Sequence, residues 1–155
     1  MKNKVFYLLF ACIFSVIDLL IKFSVKINIK DKPIVEMFNG FIQILYVENR
    51  GAAFGIFSEN RELLICISSV VVLGLVLVVL STKEYNNIFL VSSVLAIGGG
   101  LGNLADRILN GYVVDYIKLS FFSPVFNFAD CCLTLGVTGL IINVIFVQKD
   151  EKIIG

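Results

Sequence analysis

Residues 63–80, LLICISSVVVLGLVLVVL, form eighteen consecutive positions without a single charge. A second uncharged run of the same length, IFLVSSVLAIGGGLGNLA, covers residues 88–105. About twenty apolar residues span the hydrocarbon of a bilayer, so each run predicts a transmembrane helix. On either side of these two runs, further apolar runs cover residues 5–21 and about 126–147. We therefore predict four transmembrane helices, over about residues 5–27, 61–80, 88–109 and 126–147.

The composition agrees with a membrane protein. Only 16% of the 155 residues are charged and 58% are apolar, whereas a soluble domain carries about a quarter charged residues. The net charge of +1 gives no indication of nucleic-acid binding. The chain has no histidine, which excludes histidine-based catalysis and leaves few plausible ligands for zinc. We predict one membrane-embedded domain over residues 1–155, with no metal and no nucleic-acid partner.

The four cysteines, Cys12, Cys66, Cys131 and Cys132, all lie in apolar runs. Their spacing suits neither CxxC redox chemistry nor metal binding. We interpret them as small buried hydrophobic residues.

Two aspartates, Asp115 and Asp130, bracket the connection between the last two helices. This connection, about residues 110–124, is too short to cross a bilayer, so both carboxylates lie at the same membrane face. Four spans place the two termini on one side and residues 28–60 and 110–124 on the other. The distribution of lysine and arginine does not fix which side is cytoplasmic.

Polar residues near the helix ends fall into three clusters: Asp18 and Lys22 in helix one, Asn103, Asp106 and Arg107 in helix three, and Asn127 and Asp130 in helix four. Members of each cluster are one to four residues apart and so lie close together on their helix. Because neighbouring helices run antiparallel, all three clusters fall at a similar depth. They could be structural ion pairs between helices. Ionisable groups inside a membrane are, however, functional candidates by default, and their convergence favours a site.

The segment between helices one and two has its own pattern. Asn39-Gly40 lies between the apolar stretches IVEMF and FIQIL, which predicts a β-hairpin. We expect a small β region over about residues 33–57 that rests on the membrane face and covers a substrate at the interface. The alternative is a structural loop without a binding role.

Five motifs in chain order carry a resemblance to a known family: Asp18-x-x-x-Lys22, Asn49-Arg50-Gly51-Ala52-Ala53-Phe54, GGGLGNLADR over residues 98–107, Gly111-Tyr112-Val113-Val114-Asp115, and Phe126-Asn127-Phe128-Ala129-Asp130. Together they resemble the lipoprotein signal peptidase (signal peptidase II) family, intramembrane aspartyl proteases of bacteria. The resemblance covers nearly the whole chain. The fold it implies is an all-α membrane protein with four transmembrane helices and a small β-hairpin or sheet region on the extracytoplasmic face.

The resemblance also implies an activity and a location. Members cleave the signal peptide from diacylglyceryl-modified prolipoproteins, on the amino-terminal side of the lipidated cysteine, without a cofactor. They reside in the bacterial cytoplasmic membrane, with cytoplasmic termini and an active site near the extracytoplasmic face. We expect contacts with prolipoprotein substrates and membrane lipids, and a monomer.

By the same resemblance, Asp115 and Asp130 are the catalytic dyad. Two close carboxylates cannot easily both ionise, so they share a proton and activate water as a pair. Side chains or backbone expected to hold the substrate or the dyad are Asn49, Gly51, Asn103, Arg107 and Asn127. Asp106 is expected to be supportive, paired with Arg107 or with a group of helix one. Asp18 and Lys22 are interpreted as structural.

Two other classes of protein remain open from the residues alone. A small transporter or proton-conducting protein also uses intramembrane carboxylates, but it needs a polar path through the full membrane depth. A non-catalytic assembly protein would use the glycines and ion pairs of the helices without a dyad. It predicts that Asp115→Asn is tolerated.

Overall fold

The computed structural model describes residues 4–51, 60–83 and 85–147 of the chain. Its helices are α1 (Lys4–Asn28), α2 (Arg61–Ser81), α3 (Asn87–Leu109) and α4 (Phe128–Ile142), the last continued by a π-helical turn at Asn143–Val147. Its strands are β1 (Val35–Met37), β2 (Ile42–Asn49), β3 (Val113–Leu119) and β4 (Phe122–Phe126). All four helices are long and apolar enough to cross a membrane. The predicted fold, four spanning helices with a small sheet, is confirmed.

The sheet is larger than the sequence suggested. Its order is β1-β2-β3-β4, with every neighbouring pair antiparallel. The predicted β region at about 33–57 contains β1 and β2, while its residues 52–57 lie outside the described part of the chain. The other two strands lie in residues 110–124, which we interpreted only as a short connection. They were missed because each is short, and because β3 interrupts its apolar residues with Asp115 and Lys118.

The predicted hairpin is present, with its turn at residues 38–41 between Met37 and Ile42, which are paired across the strands. Three successive turn residues have positive φ: Phe38 at 51°, Asn39 at 56° and Gly40 at 82°. Asparagine and glycine adopt this conformation readily, which is why Asn-Gly predicts such turns. A phenylalanine there is strained.

Helix α3 is the centre of the helix bundle, and three consecutive glycines face its three neighbours. A Cβ on Gly98 would lie 2.9 Å from the backbone oxygen of Ala11 in α1. One on Gly99 would collide with the backbone oxygen of Ala129 in α4, and one on Gly100 would lie 2.8 Å from the side chain of Val72 in α2. The backbones of α1 and α4 can approach α3 this closely only where side chains are absent. Gly98 and Gly99 therefore fix the position of α3 against α1 and α4, while Gly100 leaves room for Val72.

The outer surfaces of α1, α2 and α4 carry many exposed apolar side chains. In the most apolar window of α3, 61% of residues are buried, against 17% to 22% in the other three helices. Exposed apolar surface of this extent suits contact with lipid. The cysteine interpretation is wrong for Cys12 and Cys66, which are exposed on α1 and α2, because a lipid-facing position tolerates an apolar thiol as well as a core does. Cys131 is half-buried and Cys132 buried.

We predict that Gly136→Ala in α4 destabilises the bundle. A Cβ there would collide with the backbone nitrogen of Ala96, and backbone cannot move aside as a flexible side chain can. The expected loss in the free energy of unfolding is about 1–3 kcal/mol, measured as a lower thermal midpoint in detergent. Gly74→Ala is the control, since no atom of the described residues lies within 4 Å of a Cβ on Gly74. Equal midpoints for the two variants would contradict this account of helix packing.

Candidate active site

The site is built around the buried ammonium of Lys22. This side chain is 2% exposed, and its Nζ lies 2.7 Å from Asp18 Oδ2 and 3.2 Å from Asp106 Oδ2. Asp18 and Lys22 are one helical turn apart on α1, and Asp106 reaches them from α3. Space for this contact comes from Gly102, because a Cβ there would lie 2.6 Å from Asp18 Oδ2. The expected partner of Asp106 is thus a helix-one group.

Lys22 also determines how Asn103 is oriented. Its Nζ donates to Asn103 Oδ1 at 2.8 Å, and Asn103 Nδ2 donates to Asp130 Oδ1 at 2.7 Å. An ammonium only donates and a carboxylate, when ionised, only accepts, so the amide has one orientation that satisfies both. Through this amide the charged cluster of α1 and α3 holds a carboxylate on α4.

Both aspartates of the Lys22 cluster also accept from the backbone at element junctions. Asp18 Oδ1 accepts from the N–H of Ala129 at 2.9 Å, at the start of α4. Asp106 Oδ2 accepts from the N–H of Val114 at 3.1 Å, at the start of β3. One cluster therefore sets where the last helix and the third strand begin.

Asn127 connects the two predicted dyad residues. It caps α4: its Oδ1 accepts from the N–H of Asp130 at 2.9 Å, while Asp130 Oδ2 accepts from the N–H of Asn127 at 3.1 Å. The same side chain donates from Nδ2 to Asp115 Oδ1 at 2.6 Å. One fully buried amide thus places a carboxylate of β3 beside a carboxylate of α4.

Asp115 is 2% exposed, on β3. Its Oδ2 accepts from Asn49 Nδ2 at 2.8 Å, and Asn49 Oδ1 in turn accepts from the N–H of Gly51 at 3.0 Å. Burial raises the pKa of Asp115 to about 6, and the nearby charge of Asp130 adds to the rise. The hydrogen bonds from Asn49 and Asn127 oppose it because they stabilise the carboxylate. Asp115 therefore keeps its proton to a higher pH than an ordinary aspartate.

Arg107 lies at the same depth but does not pair with Asp106. It donates from Nη2 to the backbone oxygen of Gly51 at 3.2 Å, and from Nη1 to the backbone oxygen of Asn103 at 3.4 Å. Its buried Nε has no hydrogen-bond partner within the part of the chain that the structure describes. The guanidinium thus joins the end of β2 to α3 and keeps one donor unused.

The structure gathers every predicted site residue into one region: Asp18, Lys22, Asn49, Gly51, Asn103, Asp106, Arg107, Asp115, Asn127 and Asp130. Residues 52–54 of the predicted loop motif lie outside the described residues. Sequence reasoning missed Asn110, whose Nδ2 donates to Asp106 Oδ1 at 2.9 Å, although its spacing of four from Asp106 was visible. It also missed the hydroxyl of Tyr116, which accepts from the N–H of Phe128 at 3.2 Å, a contact that required knowing β3.

Among the described residues of this region, the four aspartates outnumber the two cations, Lys22 and Arg107, by two. In surroundings of low dielectric such an excess favours the protonation of a carboxyl group. Among the described residues, no group of three histidine, cysteine, aspartate or glutamate side chains is arranged to hold a metal ion. The half-buried Asp130 beside the buried Asp115 can share a proton and activate a water molecule.

Comparison with known proteins gives a consistent result. The family described as signal peptidase (SPase) II matches residues 10–146. A lipoprotein signal peptidase of Clostridium acetobutylicum is 36% identical over 129 residues, covering 81% of this chain and 80% of its own length. One from Halothermothrix orenii is 38% identical over 137 residues, covering 88% of this chain and 91% of its own.

Solved structures agree as well. A bacterial membrane enzyme solved by the in meso method at 2.3 Å superposes with a TM-score of 0.85 at 31% identity, covering 94% of this chain and 90% of that one. A second, at 1.9 Å, gives a TM-score of 0.80 at 32% identity, covering 90% and 92% of the two chains.

We predict that Lys22→Met destabilises the protein strongly. It leaves Asp18 and Asp106 buried without their cation, and removing one partner of a buried ion pair costs about 3–5 kcal/mol. The measurement is the thermal midpoint in detergent. Lys30→Met is the matched control, because Lys30 pairs with Glu48 at the surface, where an ion pair contributes about 0–1 kcal/mol. A Lys22→Met midpoint equal to that of the control would refute the central role of Lys22.

We also predict that Asp115 makes the protein less stable as pH rises from about 4 to about 6. The folded state binds its proton more tightly than the unfolded state, whose pKa is near 3.8. Its contribution is therefore fully present below pH 4 and lost as pH passes 6, on the order of 1–3 kcal/mol. Thermal midpoints of wild type and Asp115→Asn are compared across this range. Parallel pH profiles would show that Asp115 does not titrate as described.

Proposed function

The chain belongs to the signal peptidase II family and is therefore a peptidase of bacterial membranes, and from this premise we propose that Asp115 and Asp130 are its catalytic dyad. Membership of this family favours a peptidase over the two alternatives that the residues alone left open, a transporter and a non-catalytic assembly protein. One observation carries the proposal: the Asn127 amide donates to Asp115 while its oxygen and backbone hold Asp130. Asp18 and Asp106 meet at the ammonium of Lys22, whereas Asp115 and Asp130 form no ion pair among the described residues, so charge pairing does not account for their proximity.

The chemistry that we propose is attack by water on the scissile amide. The ionised carboxylate of the dyad takes a proton from water, whose oxygen bonds to the carbonyl carbon. The protonated carboxyl group donates to the carbonyl oxygen. As the tetrahedral intermediate collapses, the carbon–nitrogen bond breaks and the leaving amine receives a proton from the dyad. The proton is shared, so the apparent pKa values belong to the pair, and we assign neither role to one residue.

The surrounding polar residues orient the dyad and the substrate in this proposal. Asn103 holds Asp130 and Asn49 holds Asp115, each by one amide donor. Arg107 is held against the backbone of Gly51. In this proposal it positions the substrate together with the adjoining end of β2. Asp18, Lys22 and Asp106 keep this arrangement in place.

The substrates of lipoprotein signal peptidases are lipoprotein precursors. We propose that this chain cleaves diacylglyceryl-modified prolipoproteins on the amino-terminal side of the lipidated cysteine. Support comes from the position of the site, which lies where apolar helices meet a sheet. The two acyl chains of such a substrate would lie against the helices while the peptide reaches the dyad.

We further propose cytoplasmic termini and a site near the extracytoplasmic face. Site residues lie late in α1, late in α3 and at the start of α4, so all of them are at the end of the bundle away from the first residues of α1. At that other end, Lys4 donates to the backbone oxygens of Leu80 and Thr82. We propose that residues 1–155 act as a single domain and as a monomer that contacts membrane lipids.

We predict that Asp115→Asn and Asp130→Asn each abolish cleavage, with a loss of at least about a hundredfold, because each removes a group that transfers protons. The assay is a gel shift in detergent, with purified protein and a diacylglyceryl-modified prolipoprotein. Each variant is first checked for folding.

Glu48→Gln is the matched control, since Glu48 lies on the same sheet but pairs with Lys30 and Arg50 at the surface. It should cleave as wild type does. Cleavage that survives in either folded aspartate variant would overturn the dyad and direct attention to Asp106. Failure of folded wild type to cleave an intact lipidated substrate would overturn the proposed activity itself.

A further inference from the structure

A group of aromatic side chains lies exposed at the far end of the sheet. Phe38 and Phe41 lie in the turn between β1 and β2, and Phe121 lies in the turn between β3 and β4. Phe38 and Phe121 are each 72% exposed. The rings of Phe41 and Phe121 are 5.5 Å apart, and Ser120 N–H donates to the oxygen of Phe41, so the two turns form one surface. We call these three residues the aromatic tip.

The exposure of the aromatic tip has a cost in stability. Phe38 has a φ of 51°, a region that costs a bulky residue of order 1–3 kcal/mol unless other features compensate. A phenylalanine ring exposed to water makes no contact that offsets this strain. A conformation that is strained and also exposes the ring indicates an environment outside the protein that receives it.

The position of the sheet identifies that environment. Strand β3 begins at Val113, four residues after α3 ends at Leu109, and α4 begins two residues after β4 ends at Phe126. The sheet is therefore tied at both sides to the ends of spanning helices, at the level where a bilayer meets water. Near the same end of the sheet, Lys118, three residues before Phe121, has no ion-pair partner among the described residues. Aromatic rings beside an unpaired lysine suit the interface of a leaflet, where rings lie at headgroup level and lysines meet phosphates.

We propose that the aromatic tip inserts into the headgroup region of the bilayer and anchors the sheet to the membrane. The anchor acts on the strands that carry the site, since Asn49 ends β2 and Asp115 lies on β3. The opposing Asp130 belongs to a helix whose depth the bilayer already fixes. Anchoring the tip fixes the depth of the sheet relative to the same bilayer. The bilayer therefore helps to align Asp115 on the sheet with Asp130 on the helix.

The chain contains no tryptophan, so a single substitution supplies a fluorescent reporter without background. Phe121→Trp and Phe38→Trp are reconstituted separately into vesicles of phosphatidylcholine and phosphatidylglycerol, with and without acyl chains brominated near the glycerol. Phe10→Trp on the exposed surface of α1 is the membrane reference, and N-acetyltryptophanamide in solution is the aqueous one. Two tip variants are used so that Phe121→Trp still tests the proposal if Phe38→Trp, at the strained position, fails to fold.

We predict that the brominated lipids quench both tip reporters by about twofold or more, and that aqueous iodide quenches them far less than the free tryptophan, as expected at headgroup level. Quenching by iodide without quenching by brominated lipid would place the tip in water and overturn the proposal. Quenching by neither would mean that protein covers the tip and would overturn it equally. The measurement needs no substrate, so its outcome is independent of the catalytic dyad.

Discussion

A buried ammonium must be surrounded by acceptors, and this requirement at Lys22 organises the molecule. Its Nζ lies 2.7 Å from Asp18 and 3.2 Å from Asp106 and donates to Asn103, and these partners in turn accept from or donate to α4 and β3. Unpaired, the charge would be too costly to bury. When paired, the Lys22 ammonium joins α1 and α3 directly. Through Asp18 and Asp106 it also holds the start of α4 and the start of β3. The geometry of the dyad is therefore a result of satisfying one lysine.

This dependence revises how the polar residues divide into structural and functional ones. Asp18 and Lys22 were interpreted as structural from the sequence, and their contacts are indeed between helices. Yet Lys22 holds Asn103 in the single orientation that donates to Asp130. Support for the site and support for the fold are here the same hydrogen bonds, so a substitution at Lys22 affects both.

The sequence predicts the helices well because uncharged runs of eighteen residues have few alternatives in water or lipid. It also predicts the common depth of the polar clusters, since antiparallel helices and short loops leave little freedom. It does not predict β3 and β4, because strands of seven and five residues are recognisable only from their pairing, β3 with β2 and β4 with β3. For the same reason the contact of Asn127 with Asp115 is invisible: it crosses from a helix cap to a strand, and no spacing rule relates the two.

The central position of α3 has a consequence for how the protein enters the membrane. Its best window has a mean hydropathy of 1.8, against 3.2 for α2. The glycines and polar residues that let α3 pack against three neighbours are the same residues that weaken its partitioning into lipid. Only a few residues separate α2 from α3, so the strongly apolar helix can carry the weaker one across as a hairpin. The helix that contacts all three others in the finished bundle is thus the least hydrophobic of the four spans, and a strongly apolar neighbour favours its insertion.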